Sequence, residues 1–248
     1  MDEQLKQMLK YIRLGGLLAN WDRYLSTAQK GNYSHAHLLK YIVEQEYNIK
    51  KENARKMRLA RARIPEKYVI ETFPFARQPK LNKKIIVNMY DRFDYMEKCR
   101  NVIWIGPTGT GKTGLATAFL THAIDQGYNG RFIAFPELVE QLYQSVADHT
   151  EAKVINAFAA TDCLLIDELG YVEVEPVQVG LFFTLMNRRH KKKTTLITSN
   201  LGFSQWSSFL KNDHLTAALI DRLTENSHVI NMKNCVSLRS KLDSGNLT

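Results

Sequence analysis

The spacing of hydrophobic residues divides the chain into a helical region and a mixed region. Over residues 1–66 apolar side chains recur at helical spacing. This predicts an amphipathic helix over residues 5–18 and a longer helix from Leu38 to just before Pro65. Gly31 and Asn32 interrupt the pattern and predict a break between the helices.

From Leu81 onward, short apolar runs alternate with helical segments. A helix carrying Ile85, Ile86, Met89 and Phe93 precedes the first run. Repeated alternation of strand and helix predicts a mostly parallel sheet with helices on both faces, an α/β fold. The predicted strands are residues 102–105, 131–135, 163–166, 194–199 and 228–231.

A glycine-rich loop follows the first predicted strand and fits the phosphate-loop pattern G-x-x-x-x-G-K-[ST]. Its glycines let backbone N–H groups converge on phosphate oxygens, and the helix that follows adds a positive dipole end. Lys112 is expected to neutralise the β- and γ-phosphates, and Thr113 to ligate Mg²⁺. The strand–loop–helix context favours binding of a nucleoside triphosphate over a chance glycine turn. The predicted nucleotide-binding residues are Gly106, Pro107, Thr108, Gly109, Thr110, Gly111, Lys112, Thr113 and Gly114.

Two acids end the predicted strand 163–166. Unpaired carboxylates are rarely tolerated in a core, so Asp167 and Glu168 are expected at the carboxyl edge of the sheet, where ligands bind. Asp167 would hold Mg²⁺ through water, and Glu168 would polarise the water that attacks the nucleotide. A solvated Asp-Glu turn is the alternative, which the upstream phosphate loop makes less favourable. The pair therefore predicts hydrolysis of the nucleotide.

A third polar segment ends the predicted strand 194–199. Asn200 follows this strand and is expected to help orient the attacking water between the γ-phosphate and Glu168. An asparagine after a strand is otherwise a common turn residue.

Composition narrows the class of protein. The chain has 248 residues, enough for one large domain or two modest ones, and its 44% hydrophobic content suffices for a core. No apolar run approaches the roughly 20 residues of a membrane span. The first residues lack a signal-peptide pattern, and Cys99, Cys163 and Cys235 have no metal-ligand spacing. We therefore expect a reduced, cytoplasmic protein.

The formal net charge of +9 is concentrated near the N-terminus. Residues 1–66 hold 13 Lys and Arg against 7 Asp and Glu, whereas the remainder holds 21 against 18. A helix with a basic end could follow a phosphate backbone, or it could be a solvated helix end with cations near its C-terminal dipole. We favour nucleic-acid binding. The predicted DNA-binding residues are Lys50, Lys51, Arg55, Lys56, Arg58, Arg61 and Arg63.

Taken together, the motifs resemble those of AAA+ ATPases of the initiator and helicase-loader branch, and most closely the IstB-like transposition helper ATPases. The resemblance covers essentially the whole chain, including the segments 14–18 and 72–75. It implies an AAA+ P-loop ATPase core with a small helical N-terminal domain. The motifs, in order, are Gly-Pro-Thr-Gly-Thr-Gly-Lys-Thr, Leu-Leu-Ile-Asp-Glu-Leu-Gly, Ile-Thr-Ser-Asn-Leu and Leu-Ile-Asp-Arg-Leu.

The resemblance also implies roles for residues outside the phosphate loop. Arg222 falls where the family has its arginine finger, which reaches the γ-phosphate of a neighbouring subunit; a surface arginine paired with Asp221 or Glu225 is the alternative. Arg239 resembles a sensor arginine acting within its own chain, although Leu238 replaces the usual tyrosine. Phe73 and Phe75 are expected against the adenine or, alternatively, in the core.

Three further residues bear on the resemblance. The pair Arg188 and Arg189 could reach a subunit interface or be a solvated helix end. Gly114 departs from relatives, which often carry a bulkier residue there.

The expected function follows from the family. The protein would assemble on double-stranded DNA with ATP and Mg²⁺, with little sequence preference, and would present target DNA to the transposase of an insertion sequence. An arginine supplied by a neighbour makes each subunit contact heterologous, so assembly gives a ring or a helical filament. The alternatives are a helicase loader, a small-molecule P-loop kinase, and a nucleotide-gated DNA-binding module without turnover.

The expected domains follow from these patterns. They are a basic helical domain for DNA binding or assembly (1–66), a linker with adenine-side contacts (67–79), the AAA+ ATPase domain (80–240) and a flexible tail (241–248).

Overall fold

The computed structural model describes residues 1–239; Ser240 and the predicted tail 241–248 lie outside the described residues. The chain forms two compact units, Met1–Met57 and a second that begins at Arg58. The division falls inside the third helix, upstream of the expected domain boundary at residue 66. No helix within residues 1–239 is long and apolar enough to cross a bilayer.

The first unit is helical and contains α1 (Glu3–Tyr11), α2 (Gly15–Lys30) and most of α3 (His35–Arg61). The single helix predicted over residues 5–18 is wrong, because the chain turns at Arg13, whose φ is 57°. A contact with Glu46 stabilises the first turn of α2. Its buried carboxylate accepts from the Leu17 N–H at 2.9 Å and leaves no room for a side chain at Gly16.

The second unit contains a five-stranded sheet in the order β2-β3-β4-β1-β5, with every pair parallel. The predicted parallel α/β fold is confirmed. The strands are β1 (Asn101–Ile105), β2 (Gly130–Ala134), β3 (Cys163–Leu169), β4 (Thr194–Ser199) and β5 (Ser227–Asn231). The helices of this unit are α4 (Lys83–Arg92), α5 (Asp94–Glu97), α6 (Lys112–Asp125), α7 (Phe135–Ala147), α8 (Glu151–Ala160), α9 (Pro176–Arg189), α10 (Trp206–Leu210) and α11 (Asp213–Thr224).

Side chains of one strand alternate between two hydrophobic cores, one on each face of the sheet. In β1, Ile103 and Ile105 pack with residues of α7 to α11. Val102 and Trp104 pack with residues of α4 to α6 on the opposite face. Both faces of the sheet are therefore covered by helices, as the strand–helix alternation predicts.

The end of α3 belongs to the second unit. Ala62 is fully buried, and its carbonyl accepts from the Phe132 N–H at 2.7 Å, beside the edge strand β2. The chain then turns at Arg63, whose φ is 55°. The helix thus ends at Arg61, and Arg63 lies beyond it.

The two arginines at the end of α9 have different surroundings. Arg188 is exposed and contacts Asn156. Arg189 is 1% exposed and donates to the carbonyls of Phe158 at 2.8 Å and Thr161 at 2.6 Å. Burial lowers the pKa of Arg189 to about 10, so it remains protonated at neutral pH. Arg189 is therefore neither a solvated helix end nor available to a neighbouring subunit; it joins backbone carbonyls inside its own unit.

This contrast generates a stability prediction. Arg189→Ala removes the donors of several buried carbonyls and leaves a cavity, so we expect it to lower the free energy of unfolding by about 3 kcal/mol. Arg188→Ala is the matched control, expected within about 0.5 kcal/mol of the unmodified protein. Urea denaturation followed by circular dichroism measures both. Equal losses for the two variants would contradict the structural role of Arg189.

Candidate nucleotide site

A cavity of about 420 Å³ lies over the phosphate loop. Its walls come from the segment between α3 and α4, the loop and first turns of α6, the ends of β3 and β4, and the last described residues. Of the predicted nucleotide-binding residues, the cavity is lined by Phe73, Thr108, Gly109, Gly111, Lys112, Thr113, Gly114 and Arg239. The cavity is not lined by the other four, Gly106, Pro107, Thr110 and Phe75.

The phosphate loop joins the end of β1 to the N-terminus of α6, which begins at Lys112. Gly109 and Gly111 have φ values of 81° and 95°, in the left-handed region that glycine tolerates. A Cβ at Gly109 would lie 2.5 Å from Ser237 Oγ, and one at Gly111 would lie 2.6 Å from the Phe73 ring. The backbone conformation therefore favours glycine at both positions, and at Gly111 the Phe73 ring would also have to move to admit a Cβ.

Lys112 is folded back onto its own loop. Its Nζ donates to the carbonyls of Gly106 at 2.7 Å and Pro107 at 2.8 Å. Burial lowers the pKa of Lys112, while the charges of Asp167 and Glu168 act in the opposite direction. A cation is thus held at the loop by backbone carbonyls.

The two acids lie within β3 rather than beyond its end, so the predicted strand 163–166 is too short. A register shift between Ile166 and Leu169 interrupts the pairing with β4 at this point. Asp167 remains buried, and Thr113 Oγ1 donates to its carboxylate at 3.0 and 3.2 Å. Glu168, with a φ of 61°, is exposed and lines the cavity.

Thr198 joins the two acids, a role that the sequence did not reveal. Its hydroxyl accepts from the Glu168 N–H at 3.0 Å and donates to Asp167 Oδ1. The available signal was its place in the polar run at the end of β4, in which only Asn200 is predicted to act. One hydroxyl thus fixes the backbone of one acid and the carboxylate of the other.

Asn200 and Tyr171 complete the cavity wall beside Glu168. Asn200 Oδ1 is buried and has no hydrogen-bond partner within residues 1–239. The Tyr171 hydroxyl lies 3.1 Å from Thr108 Oγ1 and links the turn after β3 to the phosphate loop. A buried oxygen without a partner, in a residue that lines the cavity, is a candidate acceptor for a bound water or a ligand donor.

The aromatic wall differs from the expectation. Phe73 lines the cavity and Phe75 does not, with the two ring centroids 4.7 Å apart. Both rings also pack against the core on this face of the sheet, which was the alternative expectation for them. Tyr68, which no sequence motif singles out, lines the cavity instead. An ideal Cβ at Gly114 would lie 3.3 Å from its ring, so Tyr68 fills the space that a bulkier residue would need.

Arg222 is engaged within its own chain and does not line the cavity. Its guanidinium donates to Asn187 Oδ1 at 3.0 Å and to the Ala218 carbonyl at 3.0 Å, and it lies over the Phe183 ring. The expected alternative, pairing with Asp221 or Glu225, is not what the structure contains; Glu225 pairs with Lys191 and His190.

The predicted DNA-binding residues lie on α3 and just beyond it. Five of them are exposed, namely Lys50, Lys51, Lys56, Arg61 and Arg63. The other two, Arg55 and Arg58, are half-buried, and Arg55 pairs with Glu52 at 3.4 Å.

The sheet order and the positions of the motifs define the class of protein. The phosphate loop follows β1, the Asp-Glu pair lies on β3, and the polar end of β4 lies between them in the sheet. This is the arrangement of a P-loop ATPase of the AAA+ class.

The particular family follows from sequence comparison. Residues 7–244 match the IstB-like ATP binding protein family, and the chain belongs to that family. It is 29% identical to an insertion sequence IS21 putative ATP-binding protein of Pseudomonas aeruginosa, covering 99% of this chain and 92% of that one. It is 27% identical to an insertion sequence IS5376 putative ATP-binding protein of Geobacillus stearothermophilus, covering 94% and 92%.

Solved structures share the fold. DnaA of Aquifex aeolicus matches with a TM-score of 0.56 at 19% identity, covering 70% of this chain and 53% of that one. The DnaC helicase loader matches with a TM-score of 0.52 at 21% identity, covering 60% and 86%. The predicted AAA+ fold is thereby confirmed, and together with the ATP-binding family it supports an ATPase.

Proposed function

We propose that the protein binds ATP and double-stranded DNA, assembles on the DNA, and serves the transposase of an insertion sequence. Membership of the IstB-like family carries the proposal, and the names of the relatives from Pseudomonas aeruginosa and Geobacillus stearothermophilus support the insertion-sequence context. A helicase loader remains the alternative within the AAA+ class. The likeness to the DnaC loader is at the level of fold, so the relatives favour transposition.

The nucleotide would be held by the loop and the cation beside it. The N–H groups of Gly109 and Gly111 would face the phosphates, and Lys112 would exchange its loop carbonyls for phosphate oxygens. Thr113 and Asp167 offer the hydroxyl and carboxylate oxygens that Mg²⁺ prefers, already within 3.2 Å of each other. Mg²⁺, when bound, neutralises charge on the phosphate oxygens. Phe73 and Tyr68 would contact the base, and Arg239 would face the phosphates from the C-terminal side.

Glu168 is the proposed general base. It is exposed to the cavity, while Asp167 is buried and held by hydroxyls, so only Glu168 is free to accept a proton from water. The unpartnered Oδ1 of Asn200 would accept a hydrogen bond from the same water and orient it.

This assignment predicts that Glu168→Gln keeps ATP binding but loses most hydrolysis, because the amide cannot accept the proton. We expect kcat to fall by at least about 100-fold. Lys112→Ala should instead weaken ATP binding itself. Phosphate release and calorimetric titration with ATP measure the two effects. Glu173→Gln, an exposed acid five residues along the chain that pairs with Lys211, is the control. Hydrolysis at the unmodified rate in Glu168→Gln would refute the assignment.

Arg222 is proposed to act on a neighbouring subunit. It does not line the cavity of its own chain, and its contacts with Asn187 and Ala218 hold it on α11 near the surface. Head-to-tail contacts that bring it to a neighbour's nucleotide would close into a ring or continue as a filament.

Mixing two inactive variants tests this role. Arg222→Ala should fold and bind ATP, yet lose about 1,000-fold in hydrolysis when assembled, as is typical of arginine fingers. Lys112→Ala supplies an intact Arg222, so the mixture should regain ATPase activity at composite sites. Absence of recovery at every mixing ratio, measured by phosphate release, would indicate that Arg222 acts within its own chain or has only a surface role.

DNA is proposed to lie along the basic residues of α3. Replacing Arg55, Arg58 and Arg61 with alanine should flatten the plot of log K against log salt by up to about three units, since each phosphate contact contributes roughly −0.9. Fluorescence anisotropy with duplexes of unrelated sequence measures the slope. ATP should strengthen binding, because assembly combines weak contacts.

The control for this experiment removes the same charge elsewhere. Lys84, Arg92 and Lys98 are exposed and lie outside the proposed DNA surface, so their replacement should leave the slope unchanged. ATP binding should be retained in both triple variants. An unchanged slope and affinity in the α3 variant would remove this helix from the DNA site.

A further inference from the structure

Gln78 is a fully buried polar residue just outside the phosphate loop. It follows the short 3-10 turn Phe75–Arg77 and is 0% exposed. Its Nε2 donates to the carbonyl of Thr110 at 3.1 Å and to that of Val236 at 2.7 Å, and its Oε1 accepts from the Val236 N–H at 3.0 Å. One side-chain amide thus joins three segments that are far apart in the sequence, and each bond is to backbone.

The bond to Thr110 acts on the phosphate loop. The Thr110 carbonyl and the Gly111 N–H belong to one planar trans peptide, so they point in opposite directions. Fixing the carbonyl therefore fixes the direction of the N–H. This matters because Gly111 has a φ of 95°, and a glycine does not hold such a conformation by its own preference.

The two bonds to Val236 act on the C-terminal segment. They hold both the N–H and the carbonyl of Val236, as a neighbouring β-strand would. Two residues later the Leu238 N–H donates to the Gly109 carbonyl at 2.8 Å, and Arg239 then lines the cavity. The segment 236–239 is thereby held to the loop at two points, one of which depends on Gln78.

We propose that Gln78 is a positioning residue of the nucleotide site. It presets the Gly111 N–H toward the phosphates and holds the segment that brings Arg239 to the cavity. This inference rests on ATP being the ligand, as in the proposed function. A purely structural glutamine would support folding without affecting the affinity for ATP.

The first test uses two variants. Gln78→Met has a similar volume and no hydrogen bonds, and Gln78→Glu keeps the acceptor but loses both donors. We expect the Kd for ATP, measured by calorimetry well below the melting temperature, to rise about tenfold in each variant. The reason is that the carbonyls of Thr110 and Val236 lose their donor. The kcat at saturating ATP should change less than the Kd. Gln126→Met, at an exposed glutamine at the end of α6, should bind ATP as the unmodified protein does.

The possible outcomes distinguish a failure of the proposed function, which is ATP binding, from a failure of the role proposed for Gln78. If the unmodified protein binds no ATP, the proposed function fails. If it binds ATP and both Gln78 variants match its Kd, even with lowered melting temperatures, then Gln78 is only structural and this inference is overturned.

A double-variant cycle tests the part that concerns Arg239. If Gln78 positions Arg239, then Arg239→Ala should cost at least about twofold less affinity for ATP in the Gln78→Met background than in the unmodified protein. Additive effects would overturn this part and leave Gln78 acting on the phosphate loop alone.

Discussion

A carboxylate buried in a protein core loses its water, and it is stable there only when hydrogen bonds replace that water. Asp167 is 6% exposed, and the donors that replace water are the hydroxyls of Thr113 and Thr198. Those hydroxyls lie on α6 and β4, so satisfying one carboxylate fixes three elements relative to one another. The first turn of α6 after the phosphate loop, strand β3 and the polar end of β4 are therefore joined through one carboxylate.

The same requirement separates the roles of two adjacent acids. Thr198 has one hydroxyl, and it bonds both the Asp167 side chain and the Glu168 backbone. With its N–H held there, Glu168 takes a left-handed conformation, and its side chain lies in the cavity. Neighbouring carboxylates in one strand thus have opposite surroundings, one buried and hydrogen-bonded, the other exposed in the cavity.

Local sequence patterns predicted the parallel sheet, the five strands and the phosphate loop, because hydrophobic periodicity and glycine spacing are short-range signals. These signals do not report contacts between segments that are far apart in the sequence. Phe75 and Tyr68 differ in their distance from the cavity only because of how the segment before α4 folds. Arg189 belongs to the interior because the carbonyls of α8 and β4 surround it. Gln78 gave no signal, since its partners are backbone atoms of residues 110 and 236.

The turn after α3 has a consequence for solubility. Strand β2 lies at an edge of the sheet, and an unpaired strand edge is a template for pairing with another chain. The hydrogen bond from the Phe132 N–H to Ala62 occupies part of that edge with the protein's own backbone, and the exposed cation of Arg63 stands directly after it. The residues just after α3 therefore also shield part of this edge from intermolecular strand pairing. A change that unwinds this turn would first be recognised as aggregation of an otherwise intact ATPase.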